Sequence, residues 1–129
     1  MFQVLKEATR LFPPIPVFSR QAVKEIDLGH GHINPAETNK FMSVYNVHRD
    51  PRHFLDPENF GPESFSPQKS VGRHTYVYTP FGIGRRMCVG HVFTNIEAKT
   101  ILSTVLRRYR VTEIEGGIEM IRYDMIYDI

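Results

Sequence analysis

The chain has 129 residues, of which 41% are hydrophobic and 23% charged, with a formal net charge of +2. That length leaves room for one compact domain and not two, and the composition is globular, which excludes a disordered or collagen-like chain. So small a charge gives no ground for nucleic-acid binding, which needs basic residues gathered on one surface.

Residues 2–12 carry Val4, Leu5, Ala8, Leu11 and Phe12 at helical spacing, and Pro13-Pro14 forbid continuation, so a short helix is expected. In residues 15–47 brief β-type runs alternate with turn signals at Gly29-His30-Gly31 and Asn34-Pro35, which predicts small hairpins. Across residues 49–72 the prolines Pro51, Pro57, Pro62 and Pro67 allow nothing regular beyond a turn or two. Phe54, Phe60 and Phe65 in that stretch imply a long ordered loop packed on a core. A glycine-rich segment, residues 81–90, then leads into residues 89–109. There Ala98, Ile101, Leu102, Val105, Leu106 and Tyr109 predict a long, well-buried helix. Its end, with Arg107, Arg108 and Arg110, reads as a solvated terminus whose cations complement the helix dipole. From Val111 onward the expectation is a Gly116-Gly117 turn with alternating apolar residues, running to Ile129. No apolar run approaches the ~20 residues of a spanning helix, and the start has none of a signal peptide's order, so the chain itself reads as soluble.

One cysteine, Cys88, excludes an intrachain disulfide framework and leaves either a buried thiol or a reactive one. It stands where the glycine-rich loop meets the start of the long helix. Unpaired N–H groups and the helix dipole there stabilise a thiolate, the form that ligates metal. Gly84 lets the backbone turn tightly, and Gly90 removes a side chain where a helix and a cofactor must approach closely. Taken alone, such a cysteine is more often structural. Cys88-x-x-His91 also mimics half a zinc site, although zinc needs about four ligands and only His30 and His32 stand as distant companions.

Phe81, Gly84, Arg86, Cys88 and Gly90 fill every fixed position of F-x-x-G-x-R-x-C-x-G, which resembles the haem-binding signature of the cytochromes P450. In the first helix Glu7-Ala8-Thr9-Arg10 resembles the family's E-x-x-R, whose i, i+3 side chains face one way and can pair. It is followed by Leu11-Phe12-Pro13-Pro14, as in family members. The stretches Asn46-Val47-His48-Arg49-Asp50-Pro51 and Gly72-Arg73-His74-Thr75-Tyr76-Val77-Tyr78-Thr79-Pro80-Phe81 are similar to the animal family-4 branch, which hydroxylates fatty-acid-like chains. Leu106-Arg107-Arg108-Tyr109-Arg110-Val111 agrees with that branch; Gly82-Ile83, in place of its usual Ser-Ala, and Thr94, in place of an alanine, depart from it.

The resemblance implies a fold that is mainly α with small β hairpins: the carboxyl-terminal part of the cytochrome P450 fold, with E-x-x-R helix, short β-sheets, proline-rich meander, cysteine loop and long proximal helix. Residues 1–129 would be one portion of a single larger domain, about the last quarter of a family member. The cofactor implied is haem b, iron protoporphyrin IX. Cys88 would be its axial iron ligand, Arg86 and Arg20 would pair with propionates, and Phe81 would pack near the sulfur. Ile15 and Val17 would line the substrate side. By themselves Arg20 reads as a surface arginine, and Ile15 and Val17 as strand core.

In the family the Glu and Arg of E-x-x-R form a buried network with an arginine from the proline-rich loop. Ser64 stands where that arginine is expected. A hydroxyl does not replace a bidentate guanidinium, so Glu7 should be less well satisfied, with Arg52 or Lys69 as nearby cations to stand in. The activity implied is O2-dependent monooxygenation of an apolar substrate such as a fatty acid, steroid or xenobiotic. It implies electrons from a redox partner such as NADPH-cytochrome reductase. The location implied is the cytosolic face of the endoplasmic reticulum membrane, anchored by an amino-terminal segment outside this chain. A truncated or pseudogene-like haem-thiolate fragment without turnover is the alternative. Apolar faces shaped for absent segments should make this chain marginal by itself.

Overall fold

A computed structural model of the chain describes residues 1–111. These fall into two units, Phe2–Cys88 and the residues from Val89 on. The Gly116-Gly117 turn and the alternating tail lie outside the described residues.

In the first unit α1 spans Phe2–Leu11, and Phe12 N–H still reaches Ala8 O at 2.8 Å before the two prolines end it. Its period is the expected one, but its buried face is not. Glu7, Arg10 and Leu11 are buried, while Phe2, Val4 and Phe12 are exposed. Strands β1 (Val17–Gln21) and β4 (Asn39–Ser43) pair antiparallel, from Val17 opposite Ser43 to Gln21 opposite Asn39. Between them β2 (Ile26–Asp27) and β3 (Ile33–Asn34) form a nested two-stranded pair. Its turn is Gly29-His30-Gly31, three successive residues at positive φ, which explains the flanking glycines. The second turn falls later than Asn34-Pro35: Asn34 ends β3 and is buried, and the chain reverses at Ala36-Glu37, with Glu37 at φ 60°.

Helix α2 (Val44–Val47) follows β4 directly, with Ser43 Oγ accepting from Asn46 N–H at 3.2 Å. The proline-rich stretch is ordered loop with two short pieces, a 3-10 turn at Pro62–Phe65 and α3 at Pro67–Ser70, each opened by its proline. Phe54, Phe65 and Val77 form the core cluster, with Tyr78 packed against it. Phe60, expected to join them, is 52% exposed. Polar groups take up much of this unit's interior: Glu7, Arg10, Asn34, His48 and Thr79 are all buried.

In the second unit α4 runs over His91–Arg108, capped by Gly90. Its extent matches the apolar spacing, but the expected burial is absent. None of its side chains is buried, and Ile101 and Leu106 are more than half exposed. Periodicity marks a face that can be buried; it says nothing of whether a covering layer is present. Among the described residues no helix is long and apolar enough to cross a membrane.

Candidate functional site

The glycine-rich loop is built from backbone hydrogen bonds. Gly82 N–H donates to Thr79 O at 3.0 Å, Met87 N–H to Gly84 O at 3.1 Å, and Cys88 N–H to Phe81 O at 2.9 Å. The last of these closes the loop on itself, so Phe81 and Cys88, seven residues apart in sequence, stand side by side. Gly82 and Gly84 sit at φ 72° and 75°, which L side chains rarely adopt, and a short 3-10 turn covers Gly84–Arg86. Phe81 is half-buried, whereas Gly84, Arg86 and Cys88 are exposed. The loop thus presents an accessible thiol and a guanidinium from one rigid backbone turn. That donor set suits an anionic macrocycle whose metal takes a sulfur ligand.

Gly90 belongs to the second unit, where its carbonyl accepts Thr94 N–H at 2.9 Å. Arg20, on β1, donates to Ser19 O at 2.7 Å and lies over the Phe18 ring at 5.2 Å, so it is engaged on its own strand. Ile15 and Val17 are 61% and 40% exposed, which overturns their reading as strand core. They are apolar surface.

Behind the loop Glu7 and Arg10 form a bidentate pair, each only 1% exposed. Arg10 Nε donates to Glu7 Oε2 and Nη2 to Oε1, both at 2.8 Å. The other Arg10 donors reach backbone carbonyls: Nη1 to His48 O at 2.9 Å and Pro57 O at 2.6 Å, Nη2 to Asn59 O at 3.1 Å. All five guanidinium N–H groups are thereby used. Glu7 is equally complete, because Gly61 N–H donates to Oε1 at 2.9 Å and the Ser64 hydroxyl to Oε2 at 3.0 Å.

This corrects the expectation drawn from Ser64. The serine does not replace a guanidinium, yet with Gly61 it fills the carboxylate's remaining acceptor positions. Burial works against ionisation of Glu7. The Arg10 hydrogen bonds, the Gly61 N–H, the Arg10 charge and the Ser64 hydroxyl outweigh it and hold the carboxyl below its ordinary value. The extra cation is Arg73, not Arg52 or Lys69. Its guanidinium lies over Phe54 at 4.6 Å and Phe65 at 5.3 Å, and Nη2 donates to Ser64 O at 2.9 Å. Arg52 pairs with Asp50 instead. A cleft of about 460 Å³ opens beside these groups, lined by Ser64, Lys69 and Arg73 among others.

Two residues that sequence reasoning missed link this network to the loop. His48 is wholly buried: its Nδ1 lies 3.3 Å from Arg10 O and its Nε2 accepts Thr79 N–H at 3.0 Å. Tyr78 stacks on the His48 ring at 5.2 Å, and its hydroxyl is 2.7 Å from Thr9 Oγ1. Burial pushes the Tyr78 phenol up to about 12 despite the Thr9 hydrogen bond. Neither residue stands on a periodic face, so only their neighbours in Asn46–Pro51 and Gly72–Phe81 marked those stretches.

A closed cysteine loop backed by a buried Glu-Arg pair is the construction of a haem-thiolate protein's proximal side. The family model described as Cytochrome P450 matches residues 1–125, and the chain belongs to that family, whose cofactor is haem. Relatives carry family-4 names. Cytochrome P450 4c3 of Drosophila melanogaster is 40% identical over 111 residues, 86% of this chain and 21% of that protein. Cytochrome P450 4V2 of Mus musculus is 44% identical over 108 residues, 84% of this chain and 20% of that protein. Among solved structures, a cytochrome P450DA mutant heme domain matches with a TM-score of 0.75 and 27% identity, over 81% of this chain and 23% of that one. The chain therefore spans about a fifth of the length of these curated relatives.

Proposed function

We propose that this chain is the carboxyl-terminal haem-binding portion of a single larger cytochrome P450 domain, with Cys88 as the axial thiolate. The observation that carries the reading is the loop itself, in which the complete signature is folded so that Cys88 N–H closes onto Phe81 O with the thiol exposed. Haem supplies a redox-active iron, and thiolate ligation donates electron density in the sense that favours O–O cleavage. Arg86, and Arg20 once released from Ser19, are the cations for the propionates. Phe81 covers the sulfur, Gly84 shapes the turn, and Gly90 keeps the helix start free of a side chain. Glu7 and Arg10 hold the backbone behind the loop. Ile15 and Val17 supply apolar surface on the substrate side, in keeping with an apolar substrate.

The activity of the complete protein on this reading is O2-dependent hydroxylation of a fatty acid, steroid or other apolar compound. A reductase such as NADPH-cytochrome reductase supplies electrons at the cytosolic face of the endoplasmic reticulum membrane. A reduced carbon monoxide spectrum of the haem-loaded complete polypeptide tests the ligand. A thiolate-type Soret band is expected, and Cys88→Ala should abolish it; a variant that kept the band would overturn the assignment.

A further inference from the structure

We infer that His48 is a positioning residue for the cysteine loop, one neutral ring tying the Arg10 carbonyl at the end of α1 to the Thr79 N–H from which the loop departs. The inference rests on the reading of Cys88 as the iron ligand.

The two ring nitrogens do opposite jobs. Thr79 N–H is a donor buried with its residue, so Nε2 must be the unprotonated, accepting nitrogen. The proton then sits on Nδ1, which faces Arg10 O. The surroundings enforce that state. Burial first, then the charges of Arg10 and Arg49, depress the imidazole to about 4, against the Arg10 and Thr9 backbone contacts that favour the cation. Tyr78, stacked on the ring and tied to Thr9, fixes its plane.

Thr79 is held at both ends. Its N–H is bound by His48, and its carbonyl accepts Gly82 N–H in the first turn of the loop. Two residues on, Phe81 O receives Cys88 N–H. A swing of the Thr79 peptide therefore passes through Phe81 to the cysteine backbone. The adjacent Arg49 Nη2 donates to Leu11 O at 2.7 Å, so His48 and Arg49 together satisfy two terminal carbonyls of α1. The loop's origin is thus referenced to the helix that carries Glu7 and Arg10.

The test compares His48→Phe, which removes both hydrogen bonds, with His48→Gln, whose amide offers one donor and one acceptor. The protein is the haem-loaded complete polypeptide. The readout is the share of bound haem giving the thiolate-type band when reduced with carbon monoxide, at equal haem content. His48→Phe should lower that share several-fold, and His48→Gln should recover most of it. Val44→Ala, a core truncation away from the loop, serves as a stability control; it should lower the melting temperature and leave the share unchanged. If His48→Phe does not fold, His48→Asn, too short to span both partners, takes its place against His48→Gln. An unchanged share in the Phe or Asn variant, or an equal drop in Val44→Ala, would overturn the positioning role. Retention of the band by Cys88→Ala would instead sink the ligand assignment on which it rests.

Discussion

Glu7→Gln replaces a carboxylate oxygen by an amide nitrogen at nearly constant volume, so its cost is electrostatic and leaves no cavity. The carboxylate now accepts from Arg10 Nη2 and Gly61 N–H on one oxygen, and from Arg10 Nε and Ser64 Oγ on the other. An amide NH2 group facing Gly61 would oppose two fixed donors. It therefore settles toward Ser64, whose hydroxyl can rotate to accept. Arg10 Nε is then left facing a donor, and the buried guanidinium loses its counter-charge. An exposed pair contributes only about 0–1 kcal/mol. Removing one partner of a buried pair costs about 3–5 kcal/mol, and that range is expected here because both side chains are 1% exposed. Urea unfolding of the complete polypeptide and the variant should show a lower midpoint at unchanged slope. A loss under about 1 kcal/mol would mean that the five-donor arrangement of Arg10 does not depend on Glu7's charge, and the network argument would fail.

Three further outcomes follow from the same geometry. Ser64→Arg should not raise the melting temperature, since it frees only the one Glu7 position that the serine hydroxyl fills and the newcomer would meet Arg10, Arg73 and Lys69; a clear rise would show that the carboxylate is under-served. Gly84→Ala has free space for its Cβ but is held at φ 75°, so backbone strain alone should cost about 1–2 kcal/mol, read by the same unfolding titration. Stability should fall as the pH drops from about 6.5 toward about 4, because over that window the unfolded His48 binds a proton that the folded ring refuses. The depressed folded value makes the contribution fully present above the unfolded value, and its size is about 3 kcal/mol. His48→Gln should flatten that part of the pH profile, and an unaltered slope would count against a neutral His48.

Reading the sequence for apolar period located α1 and α4 within a residue or two but misassigned what they bury. In α1 the i, i+3 pair Glu7 and Arg10 is more deeply buried than Val4, because five donors and four acceptor positions are matched inside the protein. Hydrophobicity cannot register such matching. The same limit applies to Ser64, whose residue type argued for a deficit that the Gly61 backbone and the serine hydroxyl together remove. The Gly29-His30-Gly31 turn was legible because positive φ leaves a residue signature, whereas Asn34 looked like a turn residue and ends a strand. Phe54 and Phe65 were legible as core anchors and Phe60 was not, since aromatic type alone does not say which ring meets the cluster. The tight turn of the cysteine loop was legible at Gly84 for the same reason as the Gly29-His30-Gly31 turn, since that residue stands at φ 75°.

What makes that loop usable is the asymmetry of its surroundings. From Gly84 to Cys88 its residues are exposed, as the proposed thiol ligand and its neighbouring cations have to be. The residues feeding it, Val77 and Thr79, are buried, and the Thr79 peptide is fixed through His48 to α1. An apolar core would hold those backbones together without setting their angular position, because dispersion contacts are non-directional. Hydrogen bonds are directional, and the run from Glu7 through Arg10 and His48 to Thr79 makes each step at 3.3 Å or less. A buried polar network of this kind is retained where orientation matters more than net stability, because an ion pair taken out of water contributes little beyond its geometry. On this view the sulfur's position is set some distance behind it. If Cys88 is the ligand proposed above, substitutions at Glu7, Arg10 or His48 should therefore change how the thiol meets iron as well as lower stability.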